Sequence, residues 1–287
     1  MSIRDNEERL GAVQNQDSPL PTIEKAQDPM SFVVPTIHVE LPSKGRFYPE
    51  GHPLHNEETV EIRFMTAKDE DTLTSPTLIK KKIVLDRLAQ NLLLDKRVRA
   101  EDLLLGDKNA ILIQARISGY GALYEAKVQC PSCMEEQEDE FNLEECSVMS
   151  HGEIVDHVRV RSLENGNFMI KVPTTGAECE VRFLNGYDEK SILQNMDKKG
   201  KKGKRKDDDH LTHQIKLMLV SVNGYTEAKY ADYFAENMPV LDSRYLRATY
   251  EKLNPNVKLV ADFECDDCGH EEDVEVPLTV DFFWPKQ

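Results

Sequence analysis

The chain has 287 residues, 39% of them hydrophobic and 31% charged, with a mean hydropathy of −0.54. Its formal net charge of −16 works against general binding to a phosphate backbone and favours basic protein partners. No apolar run approaches the ~18 residues a membrane-spanning helix needs, and Met1-Ser2-Ile3-Arg4-Asp5 begins no secretory signal, so the expectation is folding in a cytosol, where paired cysteines hold metals or do redox chemistry more often than they form structural disulfides.

Residues 1–34 are polar, carry Pro19, Pro21 and Pro29, and read as a flexible arm. Ile37-His38-Val39-Glu40-Leu41 alternates as a strand does, and Pro42-Ser43-Lys44-Gly45 then signals a turn. Thr59 to Phe64 is a second strand. Ile83, Leu85, Leu88, Leu92 and Leu93 are spaced for the buried face of a helix. Asp107 is suited to N-cap a further helix, with Ile111, Leu112 and Ala115 on one side and Gly119 and Gly121 at its end. A strand over Ala126 to Gln129 enters Cys130-Pro131-Ser132-Cys133, and another leaves it towards Phe141.

The second half follows the same order. Strands are predicted over 158–161, 168–172 and 179–183, with Asn165-Gly166 as the hairpin turn between the first two. Residues 198–209 pack Lys198, Lys199, Lys201, Lys202, Lys204, Arg205 and Lys206 with glycines, then Asp207 to Asp209, and predict a disordered loop between helices. Leu211, Ile215, Leu219 and Val222 continue a helical spacing up to Asn223-Gly224. Asp242 opens a helix with Tyr245, Leu246, Thr249 and Tyr250, which Asn254-Pro255 stops. Val260 to Glu264 enters Cys265-Asp266-Asp267-Cys268-Gly269, and a strand leaves towards Val276. Val280-Asp281-Phe282-Phe283-Trp284-Pro285 closes the chain with its only Trp.

These halves match residue by residue. Glu61-Ile62-Arg63-Phe64-Met65 through Asp69-Glu70 lies over Glu180-Val181-Arg182-Phe183-Leu184 through Asp188-Glu189, and Asp107 and Asp242 each precede their cysteine pair by 23 residues (130 − 107 and 265 − 242). The fold class expected is α+β, built of two internally repeated units behind the arm of residues 1–34. The first spans 35–146 with Cys130 and Cys133. The second spans 147–287 with the basic loop and with Cys265 and Cys268.

Two cysteines at this spacing on a tight turn present two thiolates to one point, which is half of a tetrahedral zinc site. Together Cys130, Cys133, Cys265 and Cys268 propose one Zn²⁺ per chain in a closed, structural site with no position left for water. A thiol–disulfide pair and knuckles that have lost their metal stay open, although a redox CxxC would open a helix in a βαβ unit. Met134 stands where the second knuckle has Gly269. Cys146 and Cys179 lack knuckle neighbours, Cys179 replaces Val60 as a buried apolar residue, and His151 and His270 read as surface residues. Phe282, Phe283 and Trp284 suit either an exposed partner anchor or a strand end in the protein's own core. No P-loop, GxSxG, HExxH or GxGxxG is present, so no enzyme and no small-molecule substrate are expected.

Leu41-Pro42-Ser43-Lys44-Gly45 with Tyr48, Gly106-Asp107 leading to Ala115-Arg116-Ile117 and Tyr120-Gly121, both knuckles, Pro277 and Phe282-Phe283-Trp284-Pro285 together resemble a baseplate hub subunit of T-even-like contractile-tailed bacteriophages. The resemblance covers 36–285 and implies a non-catalytic virion or assembly protein of the tail baseplate, made in the host cytoplasm. It further implies contacts with other hub, wedge or tail-tube proteins. The basic insert is no part of that resemblance. The alternative is a zinc-ribbon nucleic-acid-associated factor that uses 198–206, against which the acidic balance counts.

Overall fold

Thr36–Glu40 (β1) and Thr59–Arg63 (β2) pair antiparallel with Val39 opposite Val60, because alternation leaves each strand one apolar face. The computed structural model describes residues 34–154, 158–200, 210–276 and 280–283, so 33 of the 34 arm residues and 201–209 of the basic loop lie outside the described residues. The turn after β1 places Lys44 and Gly45 at φ 49° and 68° and buries Leu41 and Ser43. Short helices α1 (Ala67–Leu73) and α2 (Pro76–Lys80) lead into α3 (Val84–Leu92), which buries Leu88 and Leu92 as the spacing predicts and Ala89 besides, whereas Leu85 of the predicted face is exposed.

Helix α4 (Leu105–Tyr120) is buried on almost every side, from Asp107 and Lys108 through Ala110, Ile111, Leu112 and Ile113 to Ala115 and Arg116. It starts two residues before Asp107, behind Leu104, so Asp107 is not the N-cap that its position suggests. From α4 the chain runs into the hairpin β3 (Leu123–Gln129) and β4 (Glu136–Asn142), with Gln129 opposite Glu136 around the first knuckle. A one-turn helix α5 (Leu143–Cys146) and β5 (Ser147–Ser150) follow.

β6 (Val160–Ser162), β7 (Phe168–Lys171) and β8 (Glu178–Val181) form an antiparallel meander, with Gly166 at φ 80° in its first turn. Next come α6 (Gly186–Gly200) and α7 (His210–Met218). The helical pattern read through Leu219 and Val222 is broken: Leu219–Val222 is β9, paired with β8. Val220 and Val222 suit a strand, and the segment bonds to the edge of β8, which a continued helix would leave unbonded. Helix α8 (Ala228–Asn237), unanticipated, buries Ala231 and Ala235. Then α9 (Val240–Leu253) ends at the expected stop before β10 (Asn256–Glu264) and β11 (Glu271–Glu275), and Val280–Phe283 forms a 3-10 turn.

β10 pairs through its first half with β5 and through its second with β11, which gives the order β11-β10-β5; the other sheets run β1-β2, β3-β4 and β6-β7-β8-β9. Residues from both halves of the sequence share one core. At Gly106 a Cβ would meet the Pro255 carbonyl at 1.9 Å, so glycine lets α4 touch the turn before β10. Lys108, buried between the halves, bonds Asp86 at 2.9 Å and also Glu189. Its burial favours loss of the proton, but the two carboxylates outweigh that and raise its pKa. Among the described residues no helix is long and apolar enough to cross a membrane.

Candidate metal centre

Each knuckle is a tight turn between paired strands, and the two turns are bonded alike. The Cys130 amide donates to the Glu135 carbonyl (2.8 Å) and Met134 N–H to the Cys130 carbonyl (2.9 Å). The Cys265 amide donates to His270 (2.9 Å) and Gly269 N–H to Cys265 (2.8 Å). Met134 takes φ 66° and Gly269 φ 67°, so the methionine adopts the left-handed conformation that its glycine counterpart adopts freely.

The turns face each other. Sγ of Cys130 lies 3.7 Å from that of Cys268, and Sγ of Cys133 lies 3.6 Å from that of Cys265. All four sulfurs fall within 4.8 Å of one another. A tetrahedral ion with ~2.3 Å metal–sulfur bonds has sulfur–sulfur edges of roughly 3.8 Å, so the spacing is compatible with a metal ion. Cys130 and Cys265 are buried and Cys268 is exposed, which leaves one side of the cluster towards solvent. Gln137 links the turns further, donating to the Glu264 carbonyl (2.9 Å) and accepting from the Asp266 amide (3.0 Å).

Backbone amides aim at the sulfurs. Those of Cys133 and Ser132 bring the Cys130 thiol down to about 6 against the effect of burial. Cys133 accepts from the Glu135 amide, yet burial and the neighbouring sulfurs push it up to about 12. Cys268 accepts from the His270 amide and is raised for the same reasons. Four thiols this close cannot all ionise without a positive charge among them, which a bound cation would supply. Neither knuckle opens a helix, so the redox reading lacks its setting.

The other sequence candidates fall elsewhere. Cys179 is buried on β8, where burial pushes its thiol up to about 12. The Cys146 side chain lies outside the described residues. His151 contacts the Pro42 carbonyl (3.0 Å) and His270 contacts Glu272 (3.1 Å), and neither belongs to the cluster. Phe282 and Phe283 are each 3% exposed. The Phe282 ring meets Tyr124 edge-on at 5.1 Å, and its carbonyl accepts from Arg116 Nε at 2.8 Å. Of the two readings of Phe282 and Phe283, burial in the protein's own core is the one their surroundings favour, with the Arg116 guanidinium bonded to the backbone of the segment. Trp284 lies outside the described residues.

Sequence reasoning missed two buried carboxylates that tether turns. Asp107 accepts from the Ser43 amide (3.0 Å), the Ser43 hydroxyl (2.6 Å) and the Tyr48 hydroxyl (2.7 Å). Asp242 accepts from the amides of Thr174 (2.7 Å) and Thr175 (2.9 Å) and from the Thr175 hydroxyl (2.8 Å). The signal was available in the likeness of Pro42-Ser43-Lys44-Gly45 to Pro173-Thr174-Thr175-Gly176. Burial raises Asp107 more than its donors lower it, whereas the donors on Asp242 outweigh burial and lower it. Carboxyl titration by NMR should therefore find Asp107 above and Asp242 below the ordinary value of about 3.9. The stability that Asp242 contributes is full above its unfolded pKa and is lost as pH falls through its lower folded value. Asp107 acts oppositely, favouring the fold more as it protonates between its raised folded pKa and its unfolded one. The reverse order of the two titrations would refute this account.

No curated protein and no solved structure matches the chain. A family model described as T4 bacteriophage base plate protein matches residues 34–284, which span the four cysteines, both hairpins and helix α4, and the chain belongs to that family.

Proposed function

We propose that the protein is a non-enzymatic structural or assembly subunit of the hub of a contractile tail baseplate, in which one Zn²⁺ held by Cys130, Cys133, Cys265 and Cys268 fastens together two copies of one unit. The observation that carries the reading is a baseplate family match across residues 34–284, within which four cysteines from distant hairpins share one cluster. Four sulfur donors select zinc over the hard cations, and a closed donor set assigns the metal to structure and not to catalysis. When bound, the ion supplies a cross-link and neutralises thiolate charge.

Matched contacts support the repeat, with units 35–146 and 147–287. Arg63 grips Asp69 with both arms (2.6 and 2.9 Å) and Arg182 grips Asp188 likewise (2.7 and 2.8 Å). The same two carboxylates accept from the amides of Thr66 (2.9 Å) and Asn185 (3.0 Å). The partners are other hub, wedge or tail-tube proteins, met in the assembling or finished tail after synthesis in the host cytoplasm. Elemental analysis of purified protein should give about one zinc per chain, and mass spectrometry should find the chain in hub intermediates or in tails. Metal-replete protein without zinc would refute the metal. A chain absent from every tail fraction would refute the hub assignment.

A further inference from the structure

Among the described strands, the two hairpins brought together at the cysteine cluster leave edges open, those of β3 and β11 among them. β3 pairs with β4 alone and β11 ends the sheet β11-β10-β5, so among the described strands neither outer edge has a partner. These two edges line one groove of about 410 Å³, with Lys127, Val128, Gln129 and Pro131 on one wall and residues 272–275 on the other. Open edges invite any extended segment, and proteins commonly guard them with charge.

Here the guard is mostly acidic and sits on β11, with Lys127 as the one cation in the groove lining. Residues 123–146 and 256–276 hold sixteen carboxylates against two lysines, so they carry −14 of the chain's formal −16. On β11 itself Glu271, Glu272, Asp273 and Glu275 are all exposed. Such walls repel nucleic acid, acidic strands and the same edges of another copy, while they raise the local concentration of a basic segment.

We infer that the groove between β3 and β11 accepts an extended, lysine- and arginine-rich segment of another protein as an added strand. Backbone hydrogen bonds to the open edges supply affinity. Alternate side chains select the partner, the cationic ones meeting the carboxylates of Glu272, Asp273 and Glu275 while the half-buried Val274 offers apolar contact. The inference rests on the cluster holding the hairpins side by side, as proposed above.

Fluorescence anisotropy with a labelled peptide of alternating lysine and valine tests it on the full chain, with zinc counted in every sample. Binding is expected for this peptide and not for its alternating glutamate–valine counterpart. The lysine–valine peptide N-methylated at every residue should bind at least about 10-fold more weakly, since it keeps the charge but has no amide hydrogen to donate to either edge. Glu272→Lys with Glu275→Lys should cost a similar factor while zinc content and melting temperature persist. Equal binding of the methylated and plain peptides would reduce the effect to surface charge and overturn the docking. Zinc-loaded protein that ignores the lysine–valine peptide overturns it too, with the metal reading intact, whereas binding by zinc-free protein upholds the groove and shows that the cysteine cluster holds the hairpins side by side without the ion. Deleting residues 198–206 tests the chain's own basic run as the occupant: salt-sensitive self-association that disappears with the deletion would replace the foreign partner by a second copy.

Discussion

Protein carrying Cys265→Ser is expected to lose its zinc and to become protease-sensitive across residues 60–145 as well as around its own knuckle. Cys265 sits against Cys133 and Cys130 against Cys268, so each half of the site depends on the other hairpin. Metal affinity is folding free energy wherever the site does not exist in the unfolded chain, and for isolated zinc-binding peptides it reaches ~10–16 kcal/mol. Less is at stake here, because the protein also has a large apolar core. Loss of a structural metal still belongs among the changes that cost more than about 4 kcal/mol. Pulsed proteolysis with mass spectrometry reads the effect, and Cys146→Ser serves as the control that keeps its zinc. Unchanged protection of 60–145 in zinc-free Cys265→Ser would show that the halves fold independently. A full zinc complement would remove Cys265 from the ligand set.

The second large effect is expected at the C-terminal segment. Phe282→Ala empties a site where the ring packs on Tyr124 and on Phe283, with centroids 5.1 and 5.2 Å apart. Truncating a buried phenylalanine costs about 3–5 kcal/mol through lost burial and the cavity left behind, a melting shift on the order of 10 °C for a body of this size. Arg116→Met should act on the same segment by another route. The guanidinium donates to the carbonyls of Phe282 (2.8 Å), Gly121 (2.6 Å) and Leu123 (2.9 Å), and its loss leaves the buried Phe282 carbonyl without a donor, at about 1–3 kcal/mol, while water can reach the other two. Capture of baseplate partners by Phe282→Ala protein should be unaltered below its melting temperature. An unchanged melt with partner capture lost would restore Phe282 as an anchor. Zinc content should survive in both variants, which separates this damage from that of Cys265→Ser.

Several elements needed nothing beyond neighbouring residues. Both knuckles, the hairpin turn at Asn165-Gly166 and strands β1, β2 and β7 follow from turn chemistry and from alternation with period two, which act over a few residues. The pairing of distant knuckles was legible for a different reason: four thiolates satisfy one tetrahedral ion, so two half-sites imply each other at any sequence separation. The coincidence of Arg63 with Arg182 and of Asp69 with Asp188 was visible as letters, and their ion pairs give it a cause.

Other features were decided only in three dimensions. Leu219–Val222 fits a helical spacing, yet β8 offers an unbonded edge and the segment becomes a strand. Asp107 has the residue type of a cap, yet Ser43 and Tyr48, 64 and 59 residues away, bring donors that bind its carboxylate instead. Phe282 and Phe283 suit an anchor or a core equally well until Arg116, 166 residues from Phe282, fixes the backbone that carries them. Spacing and turn preference are carried by adjacent residues and can be read along a line. Burial, the partner of a buried charge and the edge a sheet leaves open depend on which distant surfaces meet, and only the packed chain determines that.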